Sequence, residues 1–257
     1  MLLCRKICIA KIREEGVIMG KNRWLSLFMA ILFAVILVEP WGEAKAADPM
    51  DSSDFVAVSD EIPDVLQEIR YYSAYNFVGS HIDGYEEPVA LMTREAAAAL
   101  KDAAAEFRAA GYVIKIYDTY RPQRAVDHFI RWGADVKDVR MKPYFYPTTD
   151  KSRVFELGYV AKQSSHSRGS TIDMTLVNMK TGQELDVGEH FDYFGERSHY
   201  AYGGISPVQQ ENRRFLHNVM VRHGFQGLAE EWWHFTLHQE PFPDTYFNFP
   251  VRKSLHA

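Results

Sequence analysis

The chain has 257 residues, 47% of them apolar and 14% aromatic, with 29 Lys and Arg against 34 Asp and Glu and a formal net charge of −5. That length and apolar content are enough to bury a substantial core, as one large domain or two small ones, which excludes disordered and fibrous classes. The acidic balance argues against a nucleic-acid binder and for a small partner.

From Met19 a basic stretch holding Lys21 and Arg23 leads into WLSLFMAILFAVILV, residues 24–38, which carries no charge. Pro40, Gly42 and the triplet Ala44-Lys45-Ala46 follow. A basic start, an apolar run of 15 residues and an A-x-A site read as a secretory leader cleaved after Ala46. The run is short of the roughly 20 residues that span a bilayer, so no stable membrane span is expected after cleavage. Residues 1–18 stand ahead of this leader and suggest initiation at Met19. Both cysteines, Cys4 and Cys8, fall in that piece. The exported chain therefore has no thiol or disulfide, and packing with a metal is left to hold it. Loss of residues 1–46 leaves 22 Lys and Arg against 30 Asp and Glu, a net charge near −8.

Residues 47–64 read as a polar lead-in and 65–257 as one domain. The alanine-rich REAAAALKDAAAEFRAAG, residues 94–111, predicts a helix with Thr93 as N-cap and Gly111 past its end. YVIKIYD, residues 112–118, is β-branched and aromatic and predicts a strand. PQRAVDHFIRWG predicts a second helix with Pro122 at its first position and Ala125, Val126, Phe129 and Ile130 on one face. Residues 135–163 are irregular, and a connection of that length in a compact domain is usually functional. A strand built on Ile172, Met174, Leu176 and Val177 follows. SPVQQENRRFLHNVMVRHGF predicts a helix with Ser206 as N-cap, Pro207 at N1, Gln209 closing a capping box and Gly224 as terminator. EEWWHFTLH, residues 230–238, is aromatic and β-prone. No repeat or Gly/Ser linker divides 60–250. The expected architecture is one α+β domain, a largely antiparallel sheet flanked by helices.

One residue does not belong in this pattern. Asp is depleted in strands, yet Asp173 lies inside the 171–177 run, on the Thr171/Thr175 face. A divalent metal would account for it, with His166 just upstream and E231-W-W-H234 supplying the rest. A tetrahedral catalytic zinc takes three His or carboxylate ligands and keeps its fourth position for water, whose pKa falls toward ~7. Glu231 would take that water's proton. In a regular strand residues i and i+3 point to opposite faces, so Glu231 must sit in the turn before the strand or across a bulge if it is to join His234. Ten histidines also offer competing pairs, His234 with His238 and His217 with His223, and Asp173 alone could pair with an arginine. Spacing by itself leaves the metal reading open.

The motifs SSHSRGSTID, EWWHF and YDTYRPQRAVDHF resemble those of the zinc-dependent D-alanyl-D-alanine dipeptidases of the VanX type, over about Tyr71 to Phe249. The SxHxxGxAxD pattern is met at Ser164, His166, Gly169 and Asp173, with Thr171 where alanine is usual. The resemblance implies one zinc per chain on His166, Asp173 and His234, Glu231 as catalytic base, and Arg121 stabilising the tetrahedral intermediate. Arg121 precedes Pro122 and is biased to extended backbone at a strand end, where a fixed guanidinium makes an oxyanion partner. Asp192, in HFDYFGERSHY, matches the acid that holds the substrate ammonium, and Ser164 and Tyr71 are expected to hydrogen-bond the substrate's ends. The implied activity is hydrolysis of D-Ala-D-Ala without an acyl-enzyme. With the leader, this becomes a periplasmic or secreted enzyme of peptidoglycan turnover or salvage. The alternatives are a D,D-carboxypeptidase on stem peptides, a dipeptidase for L,D or L,L pairs, and a non-catalytic wall-binding module with a structural zinc.

Overall fold

A computed structural model describes residues 48–253, and the leader expected over residues 1–46 lies outside them. Among the described residues no helix is long and apolar enough to cross a membrane. The residues form β1 (Phe55–Ala57), α1 (Val58–Glu61), β2 (Leu66–Gln67), β3 (Leu91–Thr93), α2 (Arg94–Ala109), β4 (Tyr112–Asp118), α3 (Gln123–Ala134), α4 (Lys142–Phe145), β5 (Thr171–Asn178), α5 (Pro207–Arg222), β6 (Phe225–Leu228) and β7 (Glu231–Leu237).

The central sheet has the order β2-β4-β5-β7-β6. β4, β5, β7 and β6 pair antiparallel, while the two-residue β2 runs parallel to β4 at one edge. β1 and β3 form a separate antiparallel pair. α2 packs on β4, α5 packs on β6, and the two helices touch each other. The result is the expected single α+β domain with a mostly antiparallel sheet.

Local chemistry explains the main elements. In α2 the apolar stripe is Ala96, Ala97, Leu100, Ala103, Ala104 and Phe107, at helical spacing, and every member is buried. Thr93 accepts a hydrogen bond from the Ala96 amide, and Gly111 at φ +90° stops the helix. α5 carries the full capping box between Ser206 and Gln209. Pro122 precedes α3 as its N-cap, with extended ψ of 149°, rather than opening the helix as its first residue. Residues 55–61, inside the stretch expected as a polar lead-in, form β1 and α1, and Phe55, Ala57, Val58 and the C-cap Ile62 are buried. The irregular 135–163 segment holds only α4 and one 3₁₀ turn, Lys151–Arg153.

β5 is buried from Thr171 to Val177. Ile172, Met174 and Leu176 face one way; Thr171, Asp173 and Thr175 face the other. That second face carries the site.

Candidate active site

Three elements bring the candidate ligands together. His166 rides on a 3₁₀ turn, Ser165–Arg168, closed by Gly169 at φ +83°. Left-handed backbone suits glycine, and a Cβ on Gly169 would lie 2.3 Å from the Phe55 ring, so the turn is pressed onto β1. Asp173 and His234 are register partners on β5 and β7. β6 and β7 pair Gly227 with Phe235 but Leu228 with Glu231, a break that places Glu231 at the first position of β7 after an irregular turn. This break resolves the parity problem of the EWWH spacing: Glu231 Oε2 lies 3.4 Å from His234 Nδ1.

His166 Nε2 is 3.3 Å from His234 Nδ1 and 3.2 Å from Asp173 Oδ2, and His234 Nδ1 is 3.1 Å from Asp173 Oδ1. Among the described residues this trio is the group of His, Cys, Asp or Glu side chains whose ligand atoms all converge, within 4.8 Å of one another. The donor chemistry fits zinc. His166 Nδ1 lies 2.7 Å from the Thr119 carbonyl, which can only accept, so the proton is on Nδ1 and the lone pair of Nε2 faces the trio. Burial pushes the His166 pKa down, keeping the ring neutral as a ligand must be. Asp173 is 2% exposed and its Oδ1 makes no hydrogen bond. Burial works against ionisation of Asp173, but the flanking imidazoles outweigh it and hold its carboxyl well below the usual range. Burial would also lower the His234 pKa, yet the Asp173 carboxylate reverses this and raises it. A proton on His234 thus occupies a place that favours positive charge, and zinc would displace it.

Glu231 sits beside the trio with its pKa raised to about 7, chiefly by burial, partly countered by His234 and reinforced by Asp173. Arg121 lies opposite, its Nη2 3.6 Å from Asp173 Oδ2 and its guanidinium over the rings of Tyr71 and Phe129 at 4.9 and 5.3 Å. Its backbone amide donates to the His166 carbonyl, so the two residues are fixed together. Its Nε donates to Asp118 Oδ2 at 2.9 Å. Asp118, which sequence reasoning placed in a strand and gave no role, is fully buried and also accepts from the Tyr85 hydroxyl at 2.7 Å. The signal that would have found it is the one that found Asp173: a carboxylate in a β-branched run.

The trio opens on a cavity of about 240 Å³ whose walls include Arg121, Glu231, Asp192, Tyr71, Ser164 and Tyr159. This is smaller than the ~300–1,000 Å³ clefts that hold drug-sized ligands, and it suits a small substrate. Asp192 is 5% exposed and, among the described residues, is the one non-glycine with positive φ, +63°. Asp tolerates this conformation better than most residues, and strain of about 1 kcal/mol or more persists where the surroundings impose it. Its carboxylate accepts from the Tyr71 hydroxyl at 3.0 Å, and burial pushes its pKa well up, with Asp173 adding to the effect. Ser164 accepts from the His166 amide at 3.3 Å and from Arg121 Nη1 at 3.5 Å, so it caps the ligand turn and also lines the cavity. All eight residues singled out from the sequence line this one cavity. Gly158 to Ser165, from the end of the irregular segment onward, supply much of its rim.

A family model for peptidase M15, described as D-Ala-D-Ala dipeptidase, matches residues 51–252. A D-alanyl-D-alanine dipeptidase of Enterococcus faecalis is 43% identical over 197 residues, 77% of this chain and 98% of that protein. One of Enterococcus faecium is 40% identical over 198 residues, covering 77% and 98%, and one of Streptomyces coelicolor is 38% identical over 200 residues, covering 78% and 99%. A match over residues 51–252, nearly the whole described domain, with relatives about 40% identical over almost their full length, makes the chain a member of the M15 peptidases, in the D-Ala-D-Ala dipeptidase family.

Proposed function

We propose that the protein hydrolyses D-alanyl-D-alanine and closely similar small D,D-dipeptides, as an exported enzyme of peptidoglycan turnover or salvage. The observation that carries this reading is the arrangement of Glu231 and Arg121 around the His166–Asp173–His234 trio, facing the buried carboxyl of Asp192 across one small cavity.

A zinc ion on the trio would polarise the scissile carbonyl and acidify a water beside it. Glu231, with a pKa lifted toward neutrality, takes the proton of the attacking water and returns it to the departing amine. Negative charge that develops on the carbonyl oxygen is met by Arg121, whose guanidinium is already fixed by Asp118 and costs little reorganisation. Asp192 receives the substrate's free ammonium. A buried carboxyl that ionises reluctantly gains most from a cation, and Tyr71 orients it. A substrate with an acylated amine offers no charge there and leaves Asp192 unpaired, which supports dipeptides over stem peptides.

Export is supported by the leader-like run of residues 19–46. An exported enzyme meets dipeptides released from the wall rather than the cytosolic precursor pool. The deciding experiment is a kinetic panel of D-Ala-D-Ala, L-Ala-D-Ala and N-acetyl-D-Ala-D-Ala, with and without chelator, joined to fractionation of the producing cells. The expected result is chelator-sensitive cleavage of the free D,D-dipeptide alone, with the protein outside the inner membrane. Equal rates on the acetylated substrate would establish a carboxypeptidase instead, and protein confined to the cytosol would remove the turnover role.

A further inference from the structure

The two histidines of the trio are held by different means. His166 rests its Nδ1–H on a backbone carbonyl, an acceptor whose role cannot change. His234 turns Nδ1 toward the trio, so its distal Nε2 must carry the ring's proton when Nδ1 serves as a ligand. Among the described residues no carbonyl or carboxylate receives that proton. Nε2 lies 3.3 Å from Thr236 Oγ1 and 3.3 Å from Ser165 Oγ, both hydroxyls.

A hydroxyl both donates and accepts, so Thr236 alone does not choose between tautomers. With its own proton turned toward Nε2, it would favour the tautomer that places a hydrogen on Nδ1, where a metal must bind. Thr236 Oγ1, however, is 2.9 Å from Thr171 Oγ1. The two threonines are register partners on β7 and β5, one pair along from His234 and Asp173 on the same face. Thr171 is fully buried and Thr236 5% exposed, so bulk water offers the pair no easy substitute. This bond can run either way, and in the direction in which Thr171 accepts, the Thr236 proton points away from the imidazole and its lone pairs face Nε2–H, the arrangement that the ligand tautomer of His234 selects.

We infer that the buried Thr171–Thr236 hydroxyl pair supports His234 in the tautomer whose Nδ1 lone pair faces the metal, and thereby raises the zinc affinity of the site. Both are positioning residues that act through His234. The inference rests on His234 being a zinc ligand, as the proposed function requires.

The test is zinc affinity, measured on metal-free protein by competition with a chromophoric chelator, for wild type, Thr171→Val, Thr236→Val, Thr171→Ser and Thr236→Ser. Removing the partner that orients a metal-bound histidine typically weakens binding by about 10–100-fold. Each valine variant should fall in that range, while the serine variants, which keep the hydroxyl, return to within about threefold of wild type. Melting of the metal-free proteins is the control for folding: an ordinary cross-strand threonine pair would lower it in the valine variants and leave zinc binding alone. In ¹H–¹⁵N spectra of zinc-loaded wild type, the His234 proton should reside on Nε2.

Valine variants with wild-type zinc affinity would overturn the inference. So would weakened binding that tracks a fall in metal-free stability and that serine does not restore. If wild type itself bound no zinc, the site reading would fail first and this inference with it. Zinc-binding wild type with unaffected variants removes the inference alone.

Discussion

Single residues at this site are distinguished by what burial does to their protons. Glu231 lies beside a cation site yet is held near neutrality because burial raises its pKa to about 7, which suits a group that must take and return one proton per turnover. Glu231→Gln keeps the shape and hydrogen-bonding reach of the side chain but removes the base. The expected outcome is a fall in kcat of about 10²–10⁴-fold with zinc stoichiometry unchanged, checked by steady-state kinetics and metal analysis on the same preparation. Asp192 poses a different question, since its backbone is as unusual as its side chain. Asn accepts left-handed φ as readily as Asp, so Asp192→Asn tests the charge without disturbing the turn. It should raise KM for D-Ala-D-Ala by about tenfold or more and shrink the preference over the N-acetylated dipeptide, since an unpaired ammonium in a buried pocket costs at least ~1.4 kcal/mol. Equal loss on both substrates would show that Asp192 serves the fold instead.

At the scale of elements, the site depends on two departures from regularity. One is the break between β6 and β7 that turns Glu231 to the His234 side. Sequence periodicity exposes this need, since E-x-x-H in a perfect strand cannot converge, but it leaves open whether a turn or a bulge supplies the answer. The other is the turn bearing His166, closed by Gly169 against Phe55. Gly169→Ala would force a side chain into left-handed backbone and drive its Cβ into an aromatic ring. We expect about 2–4 kcal/mol of lost stability, read from urea unfolding, and weakened zinc binding because His166 moves with the turn. Unchanged zinc affinity would mean that His166 is held by its Thr119 carbonyl rather than by the turn. The role of Phe55 also shows why residues 47–64 misled. That stretch is polar on average, and the burial of Phe55, Val58 and Ile62 is set by the fold, Phe55 against the Gly169 turn that it covers.

Across the whole molecule, the antiparallel sheet and the long helices were readable because each carries its own period and caps: alanines and Thr93 for α2, Ser206 and Gln209 for α5. The parallel edge strand β2 spans two residues, too few to show any period, and its place is set by pairing with β4. The rim from Gly158 to Ser165 likewise has no local pattern and is defined by the cavity it borders. Site residues were legible where residue type clashed with element, as with Asp173, or where motifs matched a family. Asp118 clashed in the same way, but its partners Tyr85 and Arg121 are supplied only by the fold. The buried charges also tie the site to global stability. In metal-free protein the folded-state pKa of Glu231 is about 7, above the ordinary 4.5. The protonated form is therefore favoured by folding, a contribution fully present below pH 4.5 and lost as pH rises through 7. Asp173, held below its usual range, is ionised in both states over this window and adds no slope. Metal-free wild type should thus lose up to about 3 kcal/mol relative to metal-free Glu231→Gln between pH 4.5 and 8, with the His234 cation beside the carboxylate offsetting part of the loss, by urea unfolding at a series of pH values. Zinc on the trio places positive charge beside the carboxylate, so loading should flatten that difference while raising stability overall by mass action. A pH profile that is the same with and without zinc would mean that Glu231 does not face the metal.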